Sequence, residues 1–252
     1  MLLSLVIALL LPLSPEAPEI PQRRINYVKQ QLIENNFTQE KIEELFGDQR
    51  LQIYQPPPSG RIDWGELHGK LLSEEALRLG SQFLERYAAT FERASLEYGV
   101  DKETLASVFG IESFFETNLG NYIVFNVFYY KLSHRDWKKH AEELVLFIMY
   151  CTSLNQDCFA ITGSHAGAIG PAQFTPSAYE HGRDGSGDGI VDFLNVYDSI
   201  MSAANYLNYL GYGQNKERAL GRYYGSAANY PHVTLDLAQA LRNEVRLVKD
   251  QE

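Results

Sequence analysis

Two cysteines, three methionines and two tryptophans are all that the 252 residues contain of those types. Cys151 and Cys158 by themselves build no metal site, which needs more ligands than one pair. Two readings of the pair stand open: a short loop closed by a disulfide in an exported protein, or two buried thiols. Positive charge is also scarce, with 22 Lys and Arg against 32 Asp and Glu, a net charge of −10. That balance excludes a nucleic-acid backbone partner, which requires basic patches, and charge-driven adhesion to anionic lipid. Strand-like alternation is rare, and no internal repeat or low-complexity tract occurs. The class expected is mostly α.

The apolar run Leu2–Leu13 has signal-peptide length and is too short to span a bilayer comfortably. Pro12, Ser14, Pro15 and Ala17 accompany its end, and no Lys or Arg precedes Arg23. Residues 1–17 therefore read as an export signal with an unusual start, against a buried segment or a membrane anchor. The expected location is the periplasm or cell envelope. No cysteine lies near the end of the run, so lipid attachment there is not expected.

What is abundant is apolar and aromatic: 45% hydrophobic residues, with 16 Tyr and 13 Phe. This is ample for one large core, and aromatics beyond the need of packing suit a groove that stacks on sugar rings. Ile25, Val28 and Leu32 share one helix face, and Thr38 caps a second run carrying Ile42, Leu45 and Phe46. Pro56–Gly60 reads as a stiff connector. Ser73 caps a periodic run predicted as one helix to Tyr98, ended by Gly99. Asp101 then caps the next helix. Further helices are expected over Trp137–Tyr150, Asp198–Leu210 and Leu235–Val248, with a shorter one starting at Pro176. The organisation expected is a signal over 1–17, a helical extension and linker over 18–72, and the main domain over 73–252.

Leu105, Val108, Phe109 and Glu112 recur at i, i+3, i+4 and i+7. Glu112 thus lies on an apolar stripe. Burial of a carboxyl disfavours its charge and raises its pKa, as a general acid near neutral pH requires. The plainer alternative is an acid that bonds neighbouring backbone or an Arg.

Three motifs stand in order: Gly110-Ile-Glu-Ser-Phe-Phe115; Ser164-x-Ala-Gly-Ala-x-Gly-x-x-Gln-Phe-x-Pro-Ser-x-Tyr179; and Asp184-Gly-Ser-Gly-Asp-Gly189 with Asp198-x-Ile-x-Ser-x-Ala-Asn-Tyr206. Together they resemble the membrane-bound lytic transglycosylase B family (glycoside hydrolase family 103) over about residues 80–245. The resemblance implies a lysozyme-like α domain acting on peptidoglycan glycan strands. It implies cleavage of the β-1,4 bond between N-acetylmuramic acid and N-acetylglucosamine, leaving 1,6-anhydromuramic ends. Glu112 would be the single catalytic acid/base. Ser164, Gln173, Phe174, Tyr206, Tyr223 and Arg135 would bind substrate. Envelope proteins as partners are left unspecified.

Three positions depart from the family pattern. Tyr224 stands where the family has Asn, Glu116 where it has Gly, and Ser133–His140 keeps only Arg135 of an arginine pair. Two rivals follow: a peptidoglycan-binding protein with weakened turnover, and a hydrolytic muramidase using Glu116. Glu116 is expected one turn beyond Glu112 on the same helix face, where it could raise the Glu112 pKa further by like-charge repulsion.

Asp184, Ser186, Asp188 and Asp192 occupy positions 1, 3, 5 and 9 of a loop with Gly189 at position 6, the first half of an EF-hand pattern. Asn195 stands at position 12, where Glu is usual, and Asp198 at position 15 can close a longer loop. The expected ligands for a structural Ca2+ are Asp184, Ser186, Asp188, the Ile190 carbonyl and Asp198. The alternative is a Gly/Asp-rich turn without metal.

Overall fold

The structure is a computed structural model, and it describes residues 18–54, 62–225 and 228–249. The apolar leader and the Pro56–Gly60 connector lie outside these residues. No described helix is long and apolar enough to cross a membrane.

Eleven α-helices carry the described chain. They are α1 Gln22–Glu34, α2 Gln39–Phe46, α3 Trp64–Leu71, α4 Glu74–Arg86, α5 Ala88–Tyr98 and α6 Lys102–Ser113, then α7 Val124–Lys131, α8 Trp137–Ser153, α9 Val196–Tyr209, α10 Lys216–Tyr223 and α11 Tyr230–Lys249. A short antiparallel pair, β1 Tyr122–Ile123 with β2 Thr162–Gly163, joins Tyr122 to Gly163 and Ile123 to Thr162. A 3-10 helix covers Pro176–His181. The mostly α class expected from the sequence is the class observed.

Local chemistry accounts for many of the ends. Thr38 accepts from Lys41 N, Ser73 from Ala76 N and Asn195 from Tyr197 N, each satisfying an amide the helix cannot. Gly99 takes φ 70° and ends α5. Two readings need correction. The helix predicted from Ser73 to Tyr98 is broken at Tyr87, with φ −111° and ψ 24°. No Gly or Pro marks the break; α4 packs on α6 and α11, whereas α5 packs chiefly on α9, so the chain must turn between partners. Asp101 makes no capping bond. Its carboxylate instead accepts from Tyr212 Oη at 2.8 Å and from Lys216 Nζ at 2.5 Å.

One apolar core runs through the molecule. Val28, Leu32 and Ile42 of the first two helices are buried in the same cluster as Phe91, Phe109, Phe125, Phe147 and Leu241. Tyr27 meets the Trp137 ring edge-on at 5.4 Å, seating α1 against α8. The helices before Ser73 therefore share the core of those after it.

The helix bearing Glu112 is fixed by close packing. A Cβ on Gly110 would lie 2.8 Å from Phe115 Cζ and 2.9 Å from Leu237 Cδ2, so only glycine lets α6 approach α11 this closely. Phe115 reaches that slot because the chain leaves α6 through three left-handed residues: Phe114 (φ 50°), Phe115 (φ 56°) and Glu116 (φ 70°). Such conformations are costly for residues with a Cβ and persist where packing over-determines them. Burial of Phe115 in the core supplies that constraint.

Candidate active site

Glu112 lies on the last turn of α6 and is only partly buried. Its carboxyl is nonetheless heavily desolvated, and desolvation pushes its pKa up to about 7. A group crowded by protein on most sides and still reachable from solvent is what the floor of a cleft presents. Tyr230 Oη donates to Glu112 Oε1 at 2.8 Å, which favours the charged form and works against the larger burial effect.

Three tyrosines surround this acid. Burial, then the field of Glu112, raises the pKa of Tyr223, Tyr224 and Tyr230 above that of free tyrosine. All three phenols therefore stay protonated and can donate. Tyr223 Oη donates to the Ala172 carbonyl at 2.9 Å, tying α10 to the segment that carries Gln173. Tyr224 stacks on Tyr230 at 4.8 Å, and Trp64 of α3 meets Tyr224 edge-on at 5.4 Å. The Tyr206 ring lies 5.5 Å from that of Tyr223 and stacks on His181 at 4.7 Å. The aromatic wall thus runs from α3 through α11 and α10 to α9.

Gln173 is partly buried and holds a left-handed backbone at φ 51°. Its Nε2 donates to the Gly170 carbonyl at 2.9 Å and the Leu119 carbonyl at 3.3 Å. A non-glycine residue locked in this conformation by two side-chain bonds is a positioned group. Ser164 lies in the adjoining turn, where its Oγ accepts from Ala168 N at 3.2 Å.

Not every predicted site residue belongs to this group. Phe174 is 2% exposed and packs against Phe193 at 4.9 Å, so it is core and not a groove residue. Arg135 is exposed in the turn between α7 and α8 and shares no hydrogen bond with the tyrosine group. Glu116 is not one turn along the same helix face, because α6 stops at Ser113. It accepts weakly from Tyr87 Oη at 3.4 Å, and Glu112's pKa is shifted by burial and Tyr230, with no contribution from Glu116.

Tyr230 and Trp64 escaped the sequence reading. Tyr230 stands 118 residues from its partner, and no local pattern links them. A tyrosine at the start of a helix carries no mark of what it will face.

The Asp184–Asp198 loop is organised around Asp198, which is 1% exposed. Its Oδ1 accepts from Gly185 N at 2.9 Å and Ser186 N at 2.8 Å, and its Oδ2 from Asp192 N at 2.8 Å. Asp184 accepts from Gly187 N, Gly189 N and the Ser186 hydroxyl; the bonds from Gly189 and Gly187 hold its carboxyl below the usual range. Asp188 Oδ1 accepts from Ile190 N at 2.8 Å, and Ile190 itself is half exposed. Asp192 also accepts from Tyr150 Oη at 2.8 Å, which fastens the loop to α8. Of the five expected ligands, Asp198 spends both oxygens on the amides of Gly185, Ser186 and Asp192 and sits beneath the loop; the other four, Asp184, Ser186, Asp188 and the Ile190 carbonyl, are all oxygen donors and suit a hard cation. Cys151 and Cys158 are free buried thiols.

Comparison with known proteins places these features in a family. Residues 21–242 match the family described as the transglycosylase SLT domain. The membrane-bound lytic murein transglycosylase B of Escherichia coli strain K12 is 29% identical over 170 residues, 65% of this chain and 46% of the relative. The chain thus matches about half the length of that curated protein. Among solved structures, the E. coli lytic transglycosylase Slt35 superposes with TM-scores of 0.79 in complex with bulgecin A and 0.77 in complex with calcium, at 18% and 17% identity, covering 88% of this chain and 93% of that one. SltB3 of Pseudomonas aeruginosa in complex with NAG-anhNAM-pentapeptide gives 0.73 at 17% identity, covering 88% and 79%. At these identities the structural likeness speaks for the fold, which is the lysozyme-like one expected. The desolvated Glu112, the aromatic wall and the match over most of the chain agree: the chain belongs to the transglycosylase SLT domain family.

Proposed function

We propose that this protein is a lytic transglycosylase of peptidoglycan, cleaving the β-1,4 bond between N-acetylmuramic acid and N-acetylglucosamine. The observation that carries the reading is one desolvated carboxyl, Glu112, with its pKa near 7 and, among the described residues, no second acid that shifts it. A hydrolase of the usual kind needs two carboxylates, one for the leaving group and one for water or the anomeric carbon. A single acid suffices when the sugar supplies its own nucleophile.

The chemistry then balances on Glu112 alone. Protonated Glu112 gives its proton to the glycosidic oxygen as the C1–O bond breaks. The resulting carboxylate takes the proton of the muramic C6 hydroxyl as that oxygen bonds to C1. The products are a 1,6-anhydromuramic end and a free N-acetylglucosamine hydroxyl, Glu112 is again protonated, and no water is consumed. Tyr230 Oη, which donates to Glu112 Oε1 at 2.8 Å, steadies the carboxyl as it gives and takes the proton. Gln173, Ser164, Tyr206 and Tyr223 line the sugar-binding side. The relative solved with an anhydromuramic glycopeptide supports this product class.

Calcium would be held by Asp184, Ser186, Asp188 and the Ile190 carbonyl, with Asp198 bracing the loop from beneath. The oxygen donor set and the relative solved with calcium support this. Its role is structural, stiffening the link between the Gln173 segment and α9. The expected location is the cell envelope, with residues 1–17 as the export signal and 18–72 as a helical extension and linker, of which α1, α2 and α3 share the core of the catalytic body.

A second reading has one observation in its favour. The Tyr224 ring stacks on Tyr230 at 4.8 Å and so adds bulk beside the acid, which suits a glycan binder with weakened turnover. Digestion of purified sacculi separates the readings. Anhydromuropeptides, one water lighter than hydrolytic products, support the transglycosylase. Reducing-end products support a muramidase, and no soluble product supports the binder.

A further inference from the structure

The turn between α7 and α8 gathers three groups that the glycan chemistry does not use. One nitrogen of His134, one nitrogen of His140 and one carboxylate oxygen of Asp136 all lie within 4.8 Å of one another. Among the described residues no other group of three His, Cys, Asp or Glu converges in this way. His140 Nε2 is 3.3 Å from Asp136 Oδ2, and the two imidazole rings stand at 5.8 Å and 84°.

An ordinary ion pair accounts for Asp136 with one histidine and leaves the second unexplained. A bound cation would engage both rings, because imidazole nitrogens offer it lone pairs and the carboxylate offsets its charge. We propose that His134, Asp136 and His140 form a binding site for a divalent transition metal ion, of which zinc is the representative. Two nitrogens and one carboxylate oxygen match the borderline-soft metals, and calcium or magnesium favour all-oxygen sites.

The backbone that bears the site is held in place. Arg24 Nη1 of α1 donates to the Leu132 carbonyl at 2.5 Å and to the His134 carbonyl at 2.9 Å. The Arg24 guanidinium lies over the Trp137 ring at 5.4 Å, so the clamp is itself braced. Tyr130 packs edge-on against His134 at 5.1 Å. His140 is mostly covered, with 14% of its side chain exposed, and Asp136 is 64% exposed. One side is therefore built and the other open, the arrangement of a three-ligand site that keeps a position for water or another ligand. Besides Arg24 at the His134 carbonyl, the cations acting on His140 are Lys131 and Lys139. Lys131 Nζ is bonded to the Ala166 carbonyl at 2.5 Å, and Lys139 is exposed to solvent.

The test is zinc titration calorimetry on the full chain, stripped with chelator and then held in excess calcium so that the 184–198 loop does not compete. We expect saturable binding of about one equivalent at micromolar zinc. His134→Ala and His140→Ala each weaken it at least about tenfold, and Asp136→Asn weakens it without altering the far-ultraviolet spectrum. Cobalt in place of zinc gives visible ligand-field bands without thiolate charge transfer. No saturable zinc binding overturns the proposal. So does binding undiminished in His134→Ala/His140→Ala, or binding lost in Cys151→Ser/Cys158→Ser.

Discussion

Tyr230 donates its hydroxyl to Glu112 at 2.8 Å, joining the first residue of α11 to the last turn of α6. The pair sets the proton affinity of the acid. Burial raises Glu112 to about 7, and the Tyr230 bond restrains the rise. Tyr230→Phe removes that restraint, so the pKa of Glu112 climbs further. The activity that depends on protonated Glu112 falls as pH rises through about 7 in the parent chain. In Tyr230→Phe this fall moves to higher pH. A pH–rate profile on soluble muropeptide substrate measures it, and a limb that stays put or moves down would refute the role of the bond.

Glu112→Gln should reduce release of soluble muropeptides by about two to four orders of magnitude, the usual contribution of a general acid. The same change should stabilise the fold in alkali. Glu112's folded pKa lies above the ordinary glutamate value of 4.5, so its neutral form suits the fold fully below pH 4.5, and that advantage is lost as pH rises through about 7. Above pH 8 the neutral amide escapes the penalty, and Glu112→Gln gains about 1–3 kcal/mol over the parent. Urea titration at pH 5 and pH 8 reads the difference. Equal stability of the two proteins at both values would contradict a buried, proton-holding carboxyl.

Glu116 should be dispensable for chemistry. It bonds Tyr87, outside the Glu112 group. Glu116→Gln is expected to keep sacculus digestion within about threefold of the parent, far less than loss of a general acid. A collapse of activity, with reducing-end products in the parent digest, would revive the muramidase.

Gly110→Ala tests the packing beneath the acid. Alanine improves intrinsic helix propensity by about 1 kcal/mol. Its Cβ would stand 2.8 Å from Phe115 Cζ and 2.9 Å from Leu237 Cδ2, and such overpacking costs about 1–3 kcal/mol. The clash wins where the ring is pinned, as Phe115 is between α4, α6 and α11. The denaturant midpoint should fall; an unchanged or raised midpoint would show that the slot is loose.

Chelation of calcium should lower the melting temperature, by an amount worth about 2.7 kcal/mol if the ion was present at a hundred times its Kd. Asp184→Asn should abolish the calcium dependence. Asp198→Ala should be worse than either, because Gly185, Ser186 and Asp192 lose their shared acceptor. A melting curve indifferent to calcium would leave the loop as a turn held by Asp198 alone.

The division between sequence and structure follows the range of the forces. Caps at Thr38 and Ser73, the stop at Gly99 and the apolar stripe bearing Glu112 were legible because each depends on residues within one or two turns. The oxygen-rich loop at Asp184 was legible for the same reason. Tertiary structure decided what depends on partners far along the chain. The break at Tyr87 arises from two packing surfaces, not from a breaker residue. The left-handed run Phe114–Glu116 exists because a slot between Gly80 and Gly110 accepts the Phe115 ring, and it carries Glu116 away from the acid. The burial of Phe174, the hub role of Asp198 and the placing of Tyr230 on Glu112 likewise come from packing. Sequence determined that a carboxyl would face the apolar interior; only the assembled helices determined which hydroxyl would hold it.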